Sequence, residues 1–180
     1  MDFPAKARSD EEIRRMAREL RTYFRLSGPE PVDVLECLRH GEIWTVKGKK
    51  RLVFEVRSDR EMRVDDAVTS FTDDMIVISA KKSVQDQAFM GVGRARNTLA
   101  HELGHAVMHD GAPKARHTAQ SGISAPRWLP AFRSAEHHAK VFAAEFLIDS
   151  AAARTMATPE EISLSFLVSL ESAKISFGEF

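Results

Sequence analysis

Thr98-Leu99-Ala100-His101-Glu102-Leu103-Gly104-His105-Ala106-Val107-Met108-His109 sets His-Glu-x-x-His inside an apolar run with helical spacing. Residues four apart on a helix stand one above the other on the same face. His101 and His105 can therefore aim imidazole nitrogens at one ion, with zinc bonds of about 2.0–2.1 Å. Glu102 lies beside the pair, within reach of a water on that ion. Zinc lowers the pKa of such a water, and a neighbouring carboxylate can take its proton. Leu99, Ala100, Leu103, Ala106 and Val107 cover most of the remaining surface, which marks a core helix rather than a solvated one. Two histidines and a glutamate in a core helix need partners.

His109 extends the ladder by one more step of four. Positions 101 and 109 are about 12 Å apart along an unbroken helix axis, too far to share an ion. The longer His-Glu-x-x-His-x-x-Gly-x-x-His pattern is absent, since Met108 and Gly111 occupy its last positions. His109 is thus expected behind the ligands or at the helix C-terminus, where its charge would suit the dipole, with Gly111 ending the helix. A third ligand has to come from elsewhere. Ser134-Ala135-Glu136-His137-His138-Ala139-Lys140-Val141-Phe142-Ala143-Ala144-Glu145-Phe146-Leu147 supplies it. Ser134 is the expected N-cap, and Glu136 shares a broad face with Ala139, Ala143, Phe146 and Leu147. A carboxylate on such a face is unfavourable unless paired or metal-bound. Glu136 is the expected ligand; His137 and His138, about 100° and 200° round the helix, are its rivals. The alanines would let this helix approach the first closely, and Glu145 is expected in solvent.

The rest of the chain fits a single domain. It has 180 residues, 43% hydrophobic and 29% charged, and 26 basic residues balance 26 acidic ones. Zero net charge argues against a protein that works by gripping nucleic-acid backbone. Cys37 is the one cysteine, so no disulfide forms within the chain and a reducing cytoplasm is the expected compartment. Residues 1–8 lack a signal-peptide core, and no apolar run is long enough to span a bilayer.

Residues 1–42 read as helices. Ser9 and Glu12 have capping-box spacing, and Ile13, Met16, Ala17, Leu20 and Phe24 repeat at helical intervals. Arg14, Arg15, Arg18 and Arg21 form the opposite face, expected in solvent and paired with Glu11, Glu12 and Glu19. A short helix follows with Val34, Leu35 and Leu38 inward and Cys37 buried or half-buried. Residues 43–80 read as a small sheet of about three strands, Ile43–Val46, Leu52–Val56 and Met75–Ser79, with a turn at residues 47–50. The polar residues 58–70 give no clear pattern. Residues 94–150 hold the two metal-binding helices. The long connection between them, residues 112–133, should pass the site, which makes His117, Arg127 and Trp128 candidate substrate contacts. Thr158-Pro159-Glu160-Glu161 opens a C-terminal helical hairpin over residues 158–176.

Taken together, Arg96-Asn97-Thr98-Leu99-Ala100-His101-Glu102-Leu103-Gly104-His105 with His109, and Glu136-x-x-Ala139-x-x-Phe142-Ala143-Ala144-x-Phe146-Leu147, resemble the ImmA/IrrE family of metallo-endopeptidases. Phe166-x-Val168-Ser169-x-x-x-Ala173 is similar to that family's tail. Where the family usually carries proline after its Leu-Ile segment, this chain has Asp149. The resemblance implies an α+β, zincin-like fold, with His101, His105 and Glu136 holding zinc, manganese being the alternative ion, and Glu102 acting as base. It also implies a protein substrate, often a helix-turn-helix repressor encoded nearby, in phage, mobile-element or stress responses, with neither nucleic acid nor membrane as a direct partner. A second donor for the oxyanion is needed; Tyr23, His109, His117, His137 and His138 are the candidates. Two other readings are a non-proteolytic regulator that grips the repressor and a toxin–antitoxin-type partner of it.

Overall fold

Ser9 opens the first helix, α1 (Asp10–Tyr23). Its hydroxyl accepts the Glu12 N–H and the Glu12 carboxylate accepts the Ser9 N–H, completing the expected capping box. The computed structural model describes residues 2–110 and 129–178. After α1 comes α2 (Val34–Arg39), capped by Asp33, which buries Val34, Leu35, Cys37 and Leu38.

Four strands follow: β1 (Glu42–Thr45), β2 (Gly48–Arg57), β3 (Ala67–Phe71) and β4 (Met75–Lys81), ordered β1-β2-β4-β3. β1 and β2 form a hairpin in which Thr45 pairs Gly48. Residues 48–50 therefore belong to β2 and not to the expected turn, and Gly48 supplies the positive φ of +107° that closes the loop. β2 and β4 run parallel, with Leu52 opposite Ile76. The chain between them forms α3 (Asp59–Met62) and then β3, antiparallel to β4 on its far side. The sheet thus has four strands where about three are legible. β3 escapes sequence reading because it is an edge strand on which Thr69 is the one fully buried residue, so it shows no apolar alternation.

α4 (Lys82–Phe89) leads into α5 (Gly93–Met108), the helix that carries His-Glu-x-x-His. α5 lies against the sheet on one side and against α6 (Ala135–Leu147) on the other, and α1 covers α6. α7 (Ser150–Ala153) and the hairpin of α8 (Pro159–Phe166) and α9 (Leu170–Gly178) complete the described fold. The core runs continuously through these layers, from Ile13 and Leu38 through Ile76, Ile78, Leu99 and Leu103 to Phe142, Phe146 and Phe166.

Buried arginines fix the helices. Arg96 donates to the carbonyls of Val32, Phe166 and Leu167 at 2.6, 2.8 and 2.7 Å. It thereby joins α5 to the α8–α9 corner and to the entry of α2. Arg21 is buried as well, not part of a solvated face; it donates to the Phe146 carbonyl at 2.7 Å and reaches Asp149 at 3.3 Å. Glu145, expected in solvent, is also buried, taking Arg18 at 3.0 Å and Ser150. In both cases long-range partners replace water, which a charged group needs before it can leave solvent. Asp149, where the family usually has proline, caps α7 by accepting the Ala152 N–H.

The start of α5 rests directly on the α8–α9 link. A β-carbon at Gly93 would lie 2.6 Å from the Ser169 nitrogen and the Val168 carbonyl carbon. Gly93→Ala should therefore destabilise the fold by about 1–3 kcal/mol, lowering the thermal midpoint by several degrees in a melt. Burial first, then Asp33 and Glu36, pushes the Cys37 thiol up to about 12. This raised folded value makes its contribution to stability complete below the unfolded thiol range near about 8.5 and smaller as pH rises beyond it. Native protein at pH 8 should resist alkylation by iodoacetamide, and label at Cys37 only once unfolded; rapid native labelling, read by mass spectrometry, is the contrary result.

Candidate active site

The helical spacing of α5 places the Nε2 atoms of His101 and His105 3.1 Å apart. Opposite them stands Glu136 in the first turn of α6. Its Oε2 is 3.3 Å from His101 Nε2 and its Oε1 is 3.4 Å from His105 Nε2. Two local features set that position. The Ser134 hydroxyl caps α6 by accepting the His137 N–H at 2.9 Å, and the Asp2 carboxylate accepts the Glu136 N–H at 3.2 Å. The approach of the helices depends on small residues, because a β-carbon at Gly104 would lie 3.0 Å from the Phe142 ring.

Glu102 enters the same gap from the sheet side. Ligand atoms of His101, Glu102 and His105 all fall within 4.8 Å of one another. The Glu102 carboxylate is held by the Thr69 hydroxyl on β3, at 2.6 Å from Oε2, and the same hydroxyl lies 2.9 Å from the Glu102 carbonyl oxygen. Nothing in the sequence pattern singles out Thr69, because the strand that carries it is itself unreadable there.

Two imidazole nitrogens and two carboxylates thus converge, and each brings lone pairs. Partial burial alone would raise the Glu136 carboxyl, but the two imidazoles it faces, His101 ahead of His105, hold it below the usual carboxylate range. Without protons on the two Nε2 atoms, the same groups form a convergent set of nitrogen and oxygen lone pairs, the donor set a cation needs. The set fits zinc, which takes imidazole nitrogen and carboxylate oxygen and keeps a fourth position open in catalytic sites.

Behind His105 the structure brings His109 and His138 together. His109 follows the end of α5 at Met108, so the helix stops before Gly111, which lies outside the described residues. Burial, then the neighbouring His105, His138 and Arg8, lowers His109 to about 3. It is neutral at pH 7, and the expected interaction of a charged ring with the helix dipole does not arise. Burial also lowers His138, against a hydrogen bond to the Phe132 carbonyl. The Phe3 ring lies over both His105 and His109, at centroid distances of 6.0 and 5.6 Å; sequence reading missed it because the residues around it carry no periodicity.

The other candidates lie elsewhere. His137 points to α1, with Nε2 2.8 Å from Asp10 Oδ1. Tyr23 packs its ring on Phe24 and His40. His117, Arg127 and Trp128 lie outside the described residues.

The nitrogen and oxygen donors of two helices thus meet beside the sheet, as a metal-dependent hydrolase requires. The model of the peptidase family described as the IrrE N-terminal-like domain matches residues 54–175. The chain belongs to that family, the ImmA/IrrE metallopeptidases. Its fold is the α+β, zincin-like fold that the resemblance implied. No curated protein and no solved structure matches the chain. Among the described residues no helix is long and apolar enough to cross a membrane.

A ligand that binds only the folded chain stabilises it by about 2.7 kcal/mol at a hundredfold excess over Kd. Zinc at that excess should raise the thermal midpoint by about 5–10 °C. His105→Ala should abolish the increment; an equal increment in that variant would place the ion elsewhere.

Proposed function

We propose that this chain is a zinc-dependent endopeptidase in which His101, His105 and Glu136 hold the ion and Glu102 is the general base. The ion, zinc or alternatively manganese, supplies a Lewis acid and lowers the pKa of the attacking water. Glu102 accepts that water's proton and returns it to the leaving nitrogen as the peptide bond breaks. The observation that carries this reading is the unequal support of the two carboxylates. Glu136 faces both imidazoles with one oxygen each, the disposition of a ligand. Glu102 groups with the same two imidazoles but gives one oxygen to the Thr69 hydroxyl, a tether that supports the role of base over that of ligand.

The sheet supports a peptide substrate. Among the described residues β3 pairs only with β4, so its outer backbone edge can take an extended segment by strand addition. Such a segment would run alongside Thr69, next to Glu102. His109 and His138 are fully engaged behind His105, so an oxyanion donor among them is not favoured. His117, another candidate for that role, lies outside the described residues.

The substrate class we propose is a helix-turn-helix transcriptional repressor encoded beside this chain, cleaved in the cytoplasm. The support is the family resemblance together with a balanced net charge, which suits a protein partner better than nucleic acid.

Glu102→Gln should keep zinc at full stoichiometry while cleavage of the neighbouring repressor falls by about 10²–10⁴-fold, followed by gel and mass spectrometry of the fragments. Undiminished cleavage by that variant removes Glu102 from its role. A zinc-loaded wild-type protein that binds the repressor and never cuts it would replace the enzyme with a non-proteolytic regulator.

A further inference from the structure

We infer that a row of three histidines, ending on a backbone carbonyl, fixes which nitrogen of His105 offers its lone pair to the metal. The row runs away from the site. His105 Nδ1 is 2.9 Å from His109 Nδ1, His109 Nε2 is 3.4 Å from His138 Nδ1, and His138 Nε2 is 3.1 Å from the Phe132 carbonyl oxygen. His105, His109 and His138 are 7%, 3% and 0% exposed, so water does not compete for these nitrogens.

The direction of the row follows from its far end. A carbonyl only accepts, so His138 must carry its proton on Nε2. In a neutral ring the other nitrogen is then an acceptor, and His138 Nδ1 takes a proton from His109 Nε2. His109 Nδ1 is left as an acceptor and takes the proton of His105 Nδ1. His105 Nε2, the atom that faces His101 and Glu136, is left as an acceptor, and in the metal-free protein the proton between these groups sits on His101 Nε2, 3.1 Å from His105 Nε2 and 3.3 Å from Glu136 Oε2. Each step leaves one choice, because a neutral imidazole has one donor and one acceptor.

The surroundings hold the row in place. Phe132 is fixed by the Arg8 N–H, which donates to the same carbonyl at 2.9 Å, and Ala5 donates to the Arg133 carbonyl at 2.8 Å. The Phe3 ring covers His105 and His109 from the same segment. His109 and His138 are positioning residues: they stand on the Nδ1 side of His105, away from its Nε2, and act through it. The spacing explains their placement. His109 is one turn beyond His105 on α5, and His138 is two residues beyond Glu136 on α6, so the row also cross-links the two helices that bring the ligands together.

The inference rests on His105 being a metal ligand, and its test needs no peptide substrate, so failure of hydrolysis leaves it decidable. Long-range proton–nitrogen NMR of the nitrogen-15-labelled metal-free protein at pH 7 should show the His105 proton on Nδ1 and the His109 and His138 protons on Nε2. A His105 proton on Nε2, or a doubly protonated His109, overturns the inference. Zinc affinity is then read by competition with a chelator. His109→Leu and His138→Leu should each weaken it by about tenfold or more, and His109→Asn, which keeps an acceptor toward His105 Nδ1, should recover most of the loss. Unchanged affinity in both leucine variants, in protein that still melts cooperatively, overturns it equally.

Discussion

Two imidazole nitrogens 3.1 Å apart, each also about 3.3–3.4 Å from a carboxylate oxygen, form an arrangement that side chains free in water would not hold. Like groups with lone pairs turned inward repel unless a cation or a proton lies between them. Their convergence is imposed by packing. Gly104 and the buried Ala139 and Ala143 bring α5 and α6 together, and Phe142 fills the space that a larger residue at position 104 would take. The last turn of α5 is pinned to the sheet, since the Val46 N–H donates to the Val107 carbonyl at 3.0 Å and Asp110 accepts the Thr45 hydroxyl at 2.9 Å. Every other feature of the site follows from how these two helices are clamped.

The clamp is anchored away from the site by buried guanidinium groups. Arg96 at the other end of α5 satisfies three carbonyls, and Arg21 holds the C-terminal end of α6 through Phe146. A planar guanidinium with five donors can serve several carbonyls at once, which an ammonium on a flexible stem does less well. Burial lowers both arginines relative to solvent, but an arginine stays charged at any physiological pH, so the anchors do not depend on acidity. The N-terminal segment adds a third tie, where Pro4 bridges Ser134, the cap residue of α6.

What the sequence discloses and what it hides divide along one line. His101, Glu102 and His105 are legible because the chemistry is compressed into one turn of helix, where spacing alone predicts the face. Glu136 is legible because a carboxylate among alanines contradicts its surroundings. Cys37 and the caps at Ser9, Ser134 and Thr158 are local signals, and the structure agrees with them. Features that depend on distant partners are not legible. Arg18 and Glu145 are 127 positions apart, and no periodicity predicts that a glutamate on α6 meets an arginine on α1. β3 fails for a related reason: it is a strand because β4 offers it an edge, and its own residues, half-buried on both faces, carry no alternating pattern.

The same line explains how two glutamates in one gap come to differ. Residue type and charge are identical, so their roles cannot come from chemistry intrinsic to the side chain. They come from which layer each leans on. Glu136 belongs to the helical layer and is oriented by Asp2, which accepts its own N–H, and by the Ser134 cap, which accepts the N–H of His137 beside it; both leave the two oxygens of Glu136 free to face the imidazoles. Glu102 belongs to the helix between the layers and gives one oxygen to a hydroxyl of the sheet. A carboxylate with one oxygen tethered presents the other in a fixed direction, which is what a base that must meet one particular proton requires. Because Thr69 sits on a strand whose outer edge has no partner among the described residues, whatever pairs with that edge runs beside the hydroxyl that holds Glu102. In the function proposed above, substrate registration and base alignment become properties of one strand, and metal retention a property of the helix pair behind it.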